Sequence, residues 1–193
     1  MKIACLGWGS LVWSPGVLRC VGGWREDGPS LPVEFARTSR DGRLTMVLLE
    51  GATEVRTLWT ELDYATPEQA QEALAGREGC SVHAIGMWPG KPPQHGAGSE
   101  SIAEWASSRG FDALVWTALR PKFDGTDGSA PSSPEAAIAY LRGLNAEVTA
   151  KAREYFERAP AQVQTPTRVA VEVALGWSSA DSSHRGEAAV EEL

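Results

Sequence analysis

Residues 2–11 read Lys2-Ile3-Ala4-Cys5-Leu6-Gly7-Trp8-Gly9-Ser10-Leu11, and the change of character within this stretch decides the fold. An apolar run of strand length gives way to two glycines that flank a tryptophan. Residues 2–8 therefore read as a buried strand ending in a tight turn. Glycine lets the backbone bend sharply and come close to a ligand. N–H groups exposed in such a turn can hold a carboxylate or an oxyanion. The stretch has no Gly-Lys-Ser/Thr of a phosphate-binding P-loop, and Val12 stands where a dinucleotide fingerprint would need a third glycine. A strand-ending turn that binds nothing is the other reading.

Outward from this strand, Ser14-Pro15-Gly16 marks a loop and residues 17–30 read as irregular. Residues 31–39 alternate in period two, Asp41-Gly42 signals a hairpin, and residues 43–50 form the returning strand. Residues 54–63 read as one more strand. Thr66, Pro67 and Gln69 open a helix that runs to about Arg77 and stops at Gly79. Residues 81–88 read as a strand or the start of a loop, and 89–98 as a Pro/Gly-rich connection. A helix is expected over 99–109, closed by Gly110, and an apolar strand over 111–119. After a loop at 120–133, Ser133 caps a helix expected over 134–158, with Ile138, Leu141, Leu144, Val148, Ala152 and Tyr155 on one face. The alternation Arg168-Val169-Ala170-Val171-Glu172-Val173 reads as a last strand over 168–175.

Strands thus precede a mixed helical half. The expected class is α+β, with a mixed, mostly antiparallel, barrel-like sheet and flanking helices. Residues 1–177 read as a single domain, and residues 178–193 as an acidic, flexible C-terminal tail with little to bury. A chain of 193 residues can bury about 70% of its unfolded surface, enough for a core without metal or disulfide staples.

The net charge of −7, with no Lys/Arg cluster, argues against nucleic acid and against an anionic membrane as partner. No run approaches the ~20 apolar residues of a membrane span. The N-terminal apolar stretch is too short and too rich in glycine for a signal peptide. Cys5, Cys20 and Cys80 form no Cys-x-x-Cys pair, and His83, His95 and His184 are scattered, so neither a disulfide framework nor a zinc site is indicated. A reducing cytoplasm is the expected location. The sequence assigns no oligomeric state.

Four features bear on chemistry besides the glycine turn. Glu78, in Gly76-Arg77-Glu78-Gly79-Cys80, ends a predicted helix, where the helix dipole disfavours a carboxylate. It reads either as a functional acid or as a solvated helix end. Cys80 lies three residues from His83, yet sequence proximity does not supply nucleophile–base geometry, and Cys5 reads as an inert buried thiol. Arg37 interrupts an apolar strand and would pair either with a ligand carboxylate or with a structural acid. Trp59 and Trp116 read as core, with pocket lining as the alternative.

Taken together, three stretches resemble the γ-glutamylcyclotransferase-like superfamily, which includes AIG2-like and ChaC-like proteins. Leu6-Gly7-Trp8-Gly9-Ser10-Leu11 resembles its Tyr-Gly-Ser-Asn/Leu loop after the first strand. Val55-Arg56-Thr57-Leu58-Trp59 is similar to its Gly-x-x-Tyr strand, and Leu74-Ala75-Gly76-Arg77-Glu78-Gly79 to its glutamate-bearing turn. These landmarks fall within roughly the first 90 residues, and Trp8 stands where the family has Tyr. The resemblance implies a γ-glutamylcyclotransferase-like fold and a lyase that converts a γ-glutamyl amide into 5-oxoproline and a free amine. It implies Glu78 as the general acid/base and Gly7, Trp8, Gly9, Ser10 and Leu11 as the substrate-binding loop. The partner would be a small-molecule γ-glutamyl amine or peptide, with no metal or organic cofactor. The alternative on the same fold is a non-catalytic small-molecule binding module.

Overall fold

The computed structural model describes residues 1–90 and 97–179. Residues 91–96 of the Pro/Gly-rich connection, and residues 180–193 of the expected tail, lie outside them. The described residues form an α+β arrangement of ten strands and five helices.

β1 (Ile3–Gly7) is buried at every position and lies at the centre of a five-stranded sheet in the order β2-β6-β1-β8-β7, with β2 (Cys20–Arg25) and β7 (Ile85–Trp88) at its edges. Its antiparallel neighbour is β6 (Leu58–Leu62), and its parallel neighbour is β8 (Ala113–Thr117). Because side chains alternate across a strand, β1 serves two cores. Ile3 and Cys5 pack with Ala70 and Leu74 of α1 (Pro67–Glu78), while Ala4 and Leu6 join a larger cluster that includes Phe35 and Phe156. The Phe35 and Phe156 rings stack with centroids 4.0 Å apart.

The second sheet has the order β10-β9-β3-β4, with β5 (Glu54–Arg56) paired to β3 (Ser30–Thr38). The hairpin of β3 and β4 (Leu44–Leu48) turns at Gly42, whose φ of 85° suits glycine. The Tyr140 hydroxyl donates to the Gly42 carbonyl at 2.7 Å, tying the hairpin tip to α3 (Pro134–Arg142).

The sheets are mixed and mostly antiparallel, as expected, but neither closes into a barrel. The stretch expected as one strand over 54–63 is also divided between the two sheets. It breaks at Thr57, so β5 pairs in the second sheet and β6 in the first. Thr57 is fully buried, its N–H and hydroxyl both donate to the Pro29 carbonyl, and its own carbonyl accepts from Gly28. These bonds pull the backbone out of line between the two strands.

Four other expectations need correction. Residues 17–30 contain β2 (Cys20–Arg25), a largely exposed edge strand whose register shifts between Val21 and Arg25. Its inward face holds only the part-buried Cys20 and Trp24, with Gly22 between them, so it carries no clear apolar alternation. The loop at 120–133 contains a short hairpin of β9 (Lys122–Phe123) and β10 (Thr126–Asp127). The helix expected over 134–158 is two helices, because Asn145 caps a new start, its side chain accepting from Val148 N at 3.0 Å. The strand expected over 168–175 is α5 (Pro166–Leu175).

That last reversal has a clear cause. Thr165 accepts from Arg168 N at 3.2 Å, and Pro166 fits the first turn of a helix. Of the alternating valines, Val171 is buried while Val173 is exposed. Arg168 itself is fully buried and donates to the Phe156 and Ala159 carbonyls at the end of α4 (Ala146–Arg158). Those carbonyls have no partner inside their own helix, so the guanidinium replaces water there.

Candidate functional site

The turn after β1, the end of α1, the β3–β4 hairpin and α4 enclose a cavity of about 780 Å³. Its lining includes every residue of 7–11 together with Glu78. The structure thus brings together the glycine turn and the carboxylate that lie 67 or more positions apart in the chain.

α1 delivers Glu78. Its start is capped by Thr66, which accepts from Gln69 N at 3.3 Å, while the Gln69 side chain accepts from Ala65 N. Its end is fixed by Gly79 in the left-handed region (φ 61°), with Gly79 N and Cys80 N returning to the Gly76 and Ala75 carbonyls. Glu78 is the last residue before this reversal, and its side chain is 16% exposed.

Arg77 bridges the carboxylate to the turn. Its guanidinium reaches Glu78 Oε1 at 2.6 Å and Ser10 Oγ at 3.1 Å. It also donates to the Ser14 carbonyl from Nε and from Nη2. The Thr117 hydroxyl approaches Glu78 Oε1 at 3.4 Å. Among the described residues both of these contacts fall on Oε1, so Oε2 is the oxygen left for a ligand.

The five residues of the turn do different things. Gly7 packs where a Cβ would lie 2.6 Å from the Trp24 ring. Trp8 is 5% exposed, and its indole N–H donates to the Met46 carbonyl at 3.3 Å, so its single donor is already engaged with β4. Leu11 packs beside α1. Gly9 and Ser10 accept from Val12 N and Ser14 N, which closes the turn. Among the described residues the Gly9 and Leu11 amides have no acceptor.

Tyr155 is a cavity residue that sequence reasoning assigned to the apolar face of a helix. It is buried on α4, and its phenol reaches the turn: a Cβ on Gly9 would collide with its oxygen. Met46 N donates to that oxygen at 3.4 Å. Burial and the Glu78 charge push the phenol up to about 12, opposed by backbone hydrogen bonds from Met46 and Ser10. It therefore stays neutral at physiological pH, and its proton has no acceptor among the described residues. No local pattern could have marked it, because a helical tyrosine at an apolar position reads as core.

The other candidates separate cleanly. Cys80 lines the cavity, but burial and then the Glu78 charge push its thiol up, against a smaller opposing pull from Arg37. An activated nucleophile needs the opposite shift. His83 is exposed and forms no hydrogen bond with Cys80; its amide donates to Ser81 Oγ. Cys5 is fully buried, and burial raises it further. Trp59 and Trp116 are core residues. Arg37 lines the cavity and donates to the Arg120 carbonyl at 2.7 Å, with no carboxylate partner among the described residues. No group of His, Cys, Asp and Glu among the described residues could hold a metal ion. No helix among them is long and apolar enough to cross a membrane.

Compared with known proteins, the chain matches no family model, no curated protein and no solved structure.

Proposed function

We propose that this cavity cyclises a γ-glutamyl amide to 5-oxoproline with release of an amine, on a γ-glutamylcyclotransferase-like fold. The observation that carries the reading is the shared cavity of Glu78 and the Gly7–Leu11 turn. The resemblance of both stretches to that superfamily supplies the reaction.

The substrate's own α-amine attacks its own γ-carbonyl, so the nucleophile and electrophile arrive on one molecule. Holding such a pair in line can contribute about 7–11 kcal/mol in favourable cases. At neutral pH the amine is an ammonium and cannot attack until it loses a proton. Glu78 would take that proton on Oε2 and return it to the leaving nitrogen. Arg77 would steady Oε1 and keep Ser10 beside it. The Gly9 and Leu11 amides would hold the glutamyl head. The neutral Tyr155 phenol would donate to the carbonyl oxygen as charge develops there.

The test is release of 5-oxoproline from a panel of γ-glutamyl amides by the wild-type chain. Absence of product across the panel would overturn the assignment.

A second reading, a non-catalytic binding module, draws on two observations. Arg77 already pairs with Glu78, and Trp8 supplies no free donor. Ligand-induced melting shifts without turnover would favour it.

A further inference from the structure

The cavity's polar wall carries more positive charge than the proposed reaction uses. Arg37, Arg40, Arg43 and Arg77 line it, against only Asp41 and Glu78, which leaves two positive charges in excess. This stands out in a chain whose net charge is −7. Each guanidinium has a different engagement. Arg77 is held by Glu78, Ser10 and Ser14. Arg43 uses Nε on Asp41 at 2.9 Å, which leaves its two terminal nitrogens without a hydrogen-bond partner among the described residues. Among the described residues, Arg37 donates to a carbonyl, that of Arg120, and meets no carboxylate. Arg40 is exposed and has no side-chain partner among the described residues.

Three of the four come from one hairpin, β3 to β4, which faces the cavity across from the end of α1. The hairpin is pinned at its tip by Tyr140, so these side chains sit on a fixed base. Guanidinium groups favour planar, bidentate contact with carboxylate or phosphate oxygens. The volume suits a ligand larger than a glutamyl head alone.

We infer that the hairpin wall binds a second oxyanionic group, a carboxylate or a phosphate, carried on the amine half of the ligand. The inference rests on the γ-glutamyl reading only for which half bears that group. The glutamyl head carries both a carboxylate and an ammonium and is neutral overall, so the two excess positive charges remain for the second group to offset. Arg37, Arg40 and Arg43 would grip it, and Arg40, at the rim, would draw it in.

Calorimetric binding to Glu78→Gln tests this without turnover, with γ-glutamylethylamide, γ-glutamylglycine and γ-glutamyl-phosphoethanolamine as neutral, carboxylate and phosphate probes. At least one anionic probe should bind about tenfold tighter than the neutral one. That advantage should shrink as salt rises, and again when Arg40→Ala, a change at an exposed position, is added. Whichever anionic probe gains more identifies the group. The same comparison by competition in the wild-type chain guards against a folding defect in the Gln variant. Equal affinities for all three, or no binding of any, overturn the inference. Release of 5-oxoproline by the wild type is read separately. Anion preference without product would sink the cyclisation and leave the site; product without anion preference would do the reverse.

Discussion

The phenolic oxygen of Tyr155 fills the space that a side chain at Gly9 would need. The contact joins the turn after β1 to a helical residue 146 positions later in the chain. A methyl group at position 9 must push the phenol off its seat against Met46 N and the Ser10 backbone. Gly9→Ala should therefore destabilise the fold by about 1–3 kcal/mol, as overpacking does. Tyr155→Phe removes the obstructing oxygen, so the double variant should lose less than the two single losses added together. Urea unfolding of the four proteins measures the coupling, and strict additivity would count against the contact.

Glu78→Gln keeps the volume and one acceptor for Arg77 but removes the proton-accepting charge. Turnover on an authentic γ-glutamyl amide should drop roughly 10²–10⁴-fold, the range that general acid–base catalysis supplies. The melting temperature should stay near wild type, because Glu78 sits at a helix end rather than in a core. Unimpaired 5-oxoproline release by this variant would remove Glu78 from the mechanism.

How much of this was legible in the sequence depended on whether the signal was local. Thr66-Pro67 with Gly79, and the glycine at 110, bounded α1 and α2 (Ser99–Arg109) to within a residue, because caps act over three or four positions. The same logic was present at Thr165-Pro166 and at Asn145, but apolar alternation outweighed the first and a continuous apolar face hid the second. The break at Thr57 has no local mark, since it depends on Pro29 and Gly28 arriving from another segment. In the site, the turn and Glu78 were readable from their motifs. Of the hairpin's arginines only Arg37 was marked, by its place in an apolar strand; Arg40, Arg43 and Tyr155 were not, because their meeting is a product of tertiary packing.

The thiols give a contrary check on nucleophilic chemistry. Cys5, Cys20 and Cys80 are all raised, chiefly by burial. A raised thiol holds less thiolate at a given pH, so alkylation should be slower than for a free cysteine. With iodoacetamide near neutral pH, Cys20 and Cys80 should label slowly and Cys5 only after unfolding. Fast labelling of Cys80 would revive a cysteine-dependent reaction.

Tyr155 also predicts how stability responds to alkali. Its phenol titrates near 10.0 when free and is pushed up to about 12 in the fold. An acid raised in this way keeps its proton longer in the native state than in the unfolded chain. The stability it contributes is whole below pH 10 and is lost as pH climbs through about 12, where both states are ionised. Phenylalanine at this position has no proton to lose. The stability gap between wild type and Tyr155→Phe should therefore narrow with rising pH, by about 2 kcal/mol between roughly pH 9.5 and 11.5. Denaturant unfolding of both proteins across that interval measures the change. A gap that holds constant would mean that the phenol ionises as freely in the fold as outside it, and the donor assigned to the carbonyl oxygen would be lost with it.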